Sequence, residues 1–462
     1  MKYLITAAAF LVSSHTLAES HFELTSTDRV KLGLTVFNGN FAVLEDRRRV
    51  VLPTKGIRLE FADVARTIQP QTVTLQSSRP GGFLADQQNY RYDLLNRKSL
   101  LERFVGRKVR YARSLLEDGT YEKVLREGIL LSINPEIVMF GDVIEIEPEG
   151  TISLPSLPSD LRTSPTLVFQ GRNGHEGAQE LSVRYHADSI GWEADYTLTL
   201  ADKGLLNGWV TVSNRSGSDL AVDDLSLIAG EVRRRSPVQV PEQRAMMADM
   251  SAEQSVVPRA VSGGDYHRYE FGGPVNLVKN DLTQLSLTKA DGIRVSKSHR
   301  LVSNVQRYAA DGAEHRSPAI VLSFDNSRRN NLAVPLPAGT VRVFEKDATT
   351  ETFIGEAWID HTAAGGEIEL EIGRAFNLSA RRVQESFRRL GDRMAEVTYT
   401  ITISNAGNKP ATVRLEEKLF GDWEVVKQSR KGKRIDARTL AFEQPVPAIG
   451  ASVLSYSVRL GW

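Results

Sequence analysis

The sequence predicts an all-β chain: several linked antiparallel sandwich-like or barrel-like units, with one short helix near residues 99–105. Three observations carry this. Apolar and polar residues alternate with period two in segment after segment, as strands with one buried face require. No long segment repeats at the helical period. The 35 Gly and 18 Pro fall largely between the alternating segments, where turns need them.

With 462 residues, 41% of them hydrophobic, the chain can fill roughly three domains. Residues 1–18 have the three parts of a secretory signal: Lys2, an apolar run over 3–12, and small residues before a cut after Ala18. The run is too short to span a bilayer, and no later apolar run reaches about 18 residues, so no transmembrane helix is expected. An exported chain with no cysteine is held by packing rather than disulfides, and it has no thiol chemistry. Lys and Arg number 58 against 57 Asp and Glu, a net charge of +1. That balance gives no steering toward nucleic acid.

In chain order, 35–37 and 41–44 flank Asn38-Gly39-Asn40, a strong hairpin signal because Asn and Gly tolerate positive φ. Strand signals continue at 50–52, 57–61 and 73–75, making 19–89 an N-terminal β unit. Leu100, Leu101, Phe104 and Val105 then recur at helical spacing, with Ser99 as a cap and Gly106 as a stop. Arg97, Lys98, Arg103, Arg107, Lys108, Arg110 and Arg113 surround them and read as the solvated face of that helix. With the strands over 124–152, residues 90–155 form a small β unit. The proline-rich stretch 154–165 is a connector.

From 181 to 228 the alternation is strict: Tyr196, Leu198 and Leu200 face one way, Thr197 and Thr199 the other. Residues 233–264 break it with Arg233-Arg234-Arg235 and three prolines, and read as a long mobile insertion. Met246, Met247 and Met250 lie there. Thioethers can ligate Cu(I), but no His or Cys sits among them. Strands resume at 269–271 and run through 334–362, which reads as three short strands with a turn at 347–350. This completes a central domain over 156–375. Val383, Phe387 and Leu390 sit at helical spacing, and alternation returns at 397–403. Residues 376–462 have the size and strand density of an immunoglobulin-like sandwich.

Laid out this way, the chain resembles the mucoidy-inhibitor A-like family, and in particular the bacterial domain of unknown function that forms its C-terminal half. The segments that carry the resemblance include LTVFNGNFAVLEDRRRVVLPTKG, YHADSIGWEADYTLTL, PLPAGTVRVFEKD, FIGEAWIDHT and VTYTITISNAGNKPATVRLEEKLFGDWEV, in the family's order. Longer members carry a coiled coil in the N-terminal half, and only the short helix stands here. The resemblance implies an extended conformation after Phe376, against the helical spacing at 383–390. It transfers no catalytic residue, because the family has none established.

The residues themselves offer no catalytic constellation. The eight His lack metal-site spacing, and no G-x-S-x-G elbow or phosphate-cradling Gly loop is present. Asp360-His361-Thr362 reads as a hydrogen-bonded strand end, since adjacent strand residues face opposite ways. Glu145 and Glu147 share a strand face about 7 Å apart, a spacing found on many wet sheets. The expectation is a cell-envelope protein of a Gram-negative bacterium, periplasmic or secreted, that binds or scaffolds without catalysis. Its partner would be an envelope protein or a glycan, with no nucleic acid, cofactor or metal. Two alternatives stay open: a hydrolase of envelope glycans, and an outer-membrane-associated β protein, suggested by the alternation that ends on Trp462. Trp462 is expected to close a buried row at the edge of the last sandwich.

Overall fold

The computed structural model describes residues 20–91, 97–117, 120–156, 164–230, 232, 259–263 and 266–462. The signal segment 1–18 and the three methionines at 246, 247 and 250 lie outside these residues. Strands take 67% of the described residues and helix 4%, far below the ~30–35% helix of an average globular protein. The all-β expectation therefore holds. Among the described residues the one α-helix is Arg97–Phe104.

Residues 20–91 are not a unit of their own. Arg29–Phe37 pairs with Asp224–Ala229, and Phe41–Leu52 pairs with Gly177–Asp188. Both belong to a seven-stranded sheet that also takes in Tyr266–Phe271. A second sheet of five strands runs Asp281–Ile293, Gly204–Asn214, Ile190–Leu200, Gly339–Lys346, Glu351–Ile359. Ser189, at φ 64°, turns the chain from one sheet into the other. Leu34, Leu44 and Tyr185 of the first sheet share one core with Trp192, Tyr196 and Leu198 of the second. Each strand alone has only one apolar row, so the N-terminal strands need partners from much later in the chain to bury it.

Not every pairing is antiparallel. Ser20–Leu24 with Gly56–Phe61, Arg29–Phe37 with Asp224–Ala229, Ile190–Leu200 with Gly339–Lys346, and Ser296–Asn304 with Ala411–Lys418 are parallel. Alternation reports which face is buried and is blind to direction. A strand also occupies part of the region read as an insertion: Arg259–Gly263 pairs with Tyr266–Phe271. The hairpin at Asn38-Gly39-Asn40 is present, with Asn40 at φ 55° and Phe37 stacked on Phe41.

A charge cluster lies inside the main body. Arg48 and Asp46 are both fully buried. Arg48 donates to Asp46 through Nη2 (2.8 Å) and to the Leu24 carbonyl through Nη1 (2.8 Å), while its guanidinium stacks 3.6 Å from the Phe61 ring centroid. Arg29 forks onto the same carboxylate at 3.1 and 2.8 Å. Burial alone would raise the Asp46 pKa; the two guanidiniums outweigh it and hold it below the ordinary carboxylate value.

The small unit read at 90–155 has its own five-stranded sheet and its own core, in which Leu101 and Phe104 of the helix meet Tyr111, Leu130 and Val138. The C-terminal sandwich is larger than 376–462. Its six-stranded sheet recruits Ser296–Asn304, Ala319–Asp325 and Glu367–Arg374, and its five-stranded sheet recruits Ala313–Arg316. The strand Leu378–Gly391 is extended, so the helical spacing at 383–390 was coincidental. Gly355 lets Glu351–Ile359 cross Glu367–Arg374 closely: at φ 150°, a Cβ there would lie 2.1 Å from the Ile372 carbonyl oxygen.

Trp462 departs from expectation. The buried row of its strand ends at Leu460, and Trp462 itself is 36% exposed, edge-on to Phe420 at 5.8 Å. Trp462→Ala is therefore expected to cost about 1–2 kcal/mol, below the ~3–5 kcal/mol of a fully packed aromatic, measured as a shift in the urea midpoint. Asp46→Ala leaves two guanidiniums facing each other without a counter-charge and is expected to cost about 3–5 kcal/mol by the same measurement. Because the folded pKa of Asp46 is depressed, its contribution is fully present above the unfolded value of about 3.9 and fades as pH falls through the lower folded value. An acid titration in which Asp46→Asn and wild type lose stability in parallel below that point would contradict this.

Candidate functional site: an aromatic and polar sheet face

The outer face of the five-stranded sheet gathers the chemistry. In Ile190–Leu200, Trp192, Ala194, Tyr196 and Leu198 turn inward, so Glu193, Asp195, Thr197 and Thr199 turn out. In Gly204–Asn214, Leu206, Val210 and Val212 turn inward, leaving Leu205, Asn207, Trp209 and Thr211 outside. Register then lines up side chains across strands. Trp209 stands opposite Asp195, Asp195 beside Thr340, and Thr340 opposite Trp358. A second row runs Asn207, Thr197, Arg342, Glu356. Three strand spacings separate the two tryptophans, roughly 14 Å.

The polar groups between them are fixed. Arg342 donates to Asp195 at 2.8 Å and approaches Glu356 at 3.7 Å. Thr199 donates to Glu351 at 2.8 Å. Trp358 is 62% exposed, and its indole N–H reaches Asp360 at 3.3 Å, which pins the ring. Beside Trp209 lies an open trough of about 400 Å³, lined by Thr197, Thr199, Lys203, Asn207, Lys346 and Glu351. Among the described residues Lys203 and Lys346 have no ion-pair partner, and the Trp209 indole N–H has no protein acceptor.

Beneath this face, Tyr196 locks the strands together. Its hydroxyl donates to the Pro337 carbonyl at 2.8 Å, and burial pushes its pKa well above the ordinary phenol range. Gly339 makes room for the pairing: a Cβ there would meet the Ala194 carbonyl oxygen at 2.1 Å and the Tyr196 ring at 3.2 Å.

The residues weighed from the sequence fall elsewhere. His361 Nδ1 accepts the Ala338 N–H at 3.0 Å, and Leu336 bridges Thr362, so Asp360-His361-Thr362 is a clasp at a strand end. The stretch 334–362 holds two strands and this bridge rather than three strands. Desolvation lowers the His361 pKa, which suits its neutral, accepting role. Glu145 is forked by Arg126 at 2.6 and 3.1 Å. Glu147 lies past the strand at φ 50°, so the two do not share a strand face. Of the basic stretch, Arg97, Lys98 and Arg103 lie on the helix, but Lys108, Arg110 and Arg113 lie on the strand Lys108–Glu117, so it is not one helix face; Arg97, Arg110 and Arg113 each meet a glutamate.

Among the described residues no group of three or more His, Asp or Glu could hold a metal, and no helix is long and apolar enough to cross a membrane. A scan of the chain against protein-family models found no match, and a search of curated proteins found none either. The sequence marked the alternation of both halves of this face. It could not show that residues 194–200 lie beside 339–345.

Arg342 and Asp195 are partly exposed, at 46% and 30%. Arg342→Gln is thus expected to cost no more than about 1 kcal/mol in urea unfolding. A larger loss would mean that Arg342 holds the sheet together rather than dressing its surface.

Proposed function

We propose that this chain is an exported cell-envelope protein, periplasmic or secreted and akin to the mucoidy-inhibitor A-like family, that binds a glycan without cleaving it. The row Trp209, Asp195, Thr340, Trp358 carries the reading. Sugar rings offer an apolar C–H face and a rim of hydroxyls. Indole planes take the first, and fixed hydroxyl, carboxylate and guanidinium groups take the second. The rows run across the strands, and a hexopyranose is about as long as one strand spacing of ~4.8 Å. An oligosaccharide of three or four residues would therefore reach from one tryptophan to the other.

Binding without hydrolysis is favoured by the shape and by the carboxylates. The face is open, so water is not excluded from a bound chain. Asp195 and Glu356 both lie against the Arg342 guanidinium instead of facing each other across a gap, as the acid and base of a glycosidase do. The localisation rests on the signal-like residues 1–18.

The test is tryptophan fluorescence and calorimetric titration of the full chain with three hexasaccharides: chitohexaose, cellohexaose and hexagalacturonate. At least one is expected to bind saturably, with Trp209→Ala and Trp358→Ala each weakening it by about tenfold, the loss of one stacking contact. No new reducing ends should form on overnight incubation. Failure of all three sugars to bind would sink the glycan reading, and release of reducing ends, lost in Asp195→Asn, would replace it with a hydrolase.

A further inference from the structure

One end of the C-terminal sandwich presents two large apolar side chains to solvent. Phe376 is 99% exposed and Ile449 79%, the two highest values among the large hydrophobic residues described. Single exposed apolar residues are ordinary. These two differ in how they are held.

Both sit on loops that are bound to a third. Residues 375–377, 406–410 and 447–449 meet at this end. The Ala406 N–H donates to the Asn377 carbonyl at 2.8 Å, and the Ile449 N–H donates to the Gly407 carbonyl at 3.0 Å. Asn405, 4% exposed, ties the group from within. Its side-chain amide donates to the Lys409 and Pro447 carbonyls at 2.9 and 3.0 Å, and its side-chain oxygen accepts the Gly407 N–H at 2.9 Å. The tip is therefore built rather than loose.

Ile449 has φ 46°. A β-branched residue is disfavoured in that left-handed region, and glycine would fit it without strain. Ile449 packs against little that would compensate, being mostly exposed. Strain of this kind persists where the surroundings impose it, and it clusters at sites of function.

The chemistry of the three loops narrows the occupant. They contain Ala375, Phe376, Pro447, Ala448 and Ile449, and their only charged side chain is Lys409; there is no carboxylate. We propose that this tip seats on an anionic lipid surface, with Phe376 and Ile449 entering the headgroup boundary and Lys409 meeting lipid phosphate. A protruding apolar tip needs no pocket in a bilayer, whereas a protein partner must supply one. Aromatic and aliphatic side chains beside a lysine suit the interface between headgroup and acyl chain. The proposal does not depend on the glycan-binding face, which lies on a different sheet.

The experiment is co-sedimentation of the full chain with vesicles of phosphatidylethanolamine and phosphatidylglycerol, and with vesicles of phosphatidylcholine alone. Wild type is expected to pellet with the anionic vesicles and to be released by high salt only in part. Phe376→Ser should weaken binding about tenfold, as loss of one buried aromatic does. Lys409→Glu should weaken it on anionic vesicles alone. Ile449→Gly separates function from folding: it should weaken vesicle binding while leaving the melting temperature unchanged or higher, because it relieves the left-handed strain. Wild type remaining in the supernatant with both vesicle types would overturn the proposal. So would Ile449→Gly binding like wild type, or a lipid-free dimer in sedimentation velocity that Phe376→Ser abolishes, which would assign the tip to a second copy of the chain.

Discussion

The parallel pairing of Ile190–Leu200 with Gly339–Lys346 is the constraint on which the main body rests. It joins segments well over a hundred residues apart and brings Trp358 into line with Trp209. It exists because Gly339 lets the backbones close over the Tyr196 ring, and because the Tyr196 hydroxyl finds the Pro337 carbonyl. A side chain at residue 339 would push the strands apart, and the face would then be two unrelated hairpins. Loop closure over so many residues is entropically costly, and other contacts must reward it. The buried apolar rows of both sheets supply that reward.

Each of the two large cores also contains an ion pair. In the main body it is Asp46 with Arg48 and Arg29; in the C-terminal sandwich it is Arg382 with Glu417, at 2.8 Å and almost wholly buried. Arg382 comes from one sheet of the sandwich and Glu417 from the other, and the guanidinium stacks 3.6 Å from the Tyr399 ring centroid. Burial opposes the charge on Arg382, and Glu417 with its tyrosine neighbours restores it. Such pairs add little net stability compared with apolar residues, but they penalise any register in which the partners are apart. In sheets with a period of two, a slip of one residue turns a whole row inside out. A buried charge that would lose its partner makes that slip costly.

Much of this was legible in the sequence because strands write their burial into alternation. Tyr196, Leu198 and Leu200 against Thr197 and Thr199 gave both the buried row and the wet row before any partner was known. The Asn-Gly hairpin, the turn at Asp347 and the short helix at Leu101 and Phe104 are local events with local signals. Strand direction and order left no such trace. Nothing in residues 29–37 says that 224–229 lie beside them, so a division at residue 89, where strand signals give way to helical spacing, cuts across the shared core. The two tryptophans of the candidate face were visible as residues, but their alignment depends on a pairing that single-strand patterns do not encode. Trp462 differs for a related reason: alternation extends the buried row by one step, while the sandwich ends at Leu460.

The helix-bearing unit hangs from the main body in a particular way. Phe83–Arg91 and Thr166–Asn173 are antiparallel neighbours, and Arg91 pairs directly with Thr166. Everything between them, the helix and its five strands, is thus spliced into the end of a single hairpin whose two stems stand about 5 Å apart. A tight turn could close the same gap. The main body therefore offers a socket: evolution, or an engineer, can enlarge, exchange or delete what is plugged in there without disturbing the sheet that carries the two tryptophans. A lineage could vary the length of its N-terminal half by large steps while the rest of the fold stays fixed.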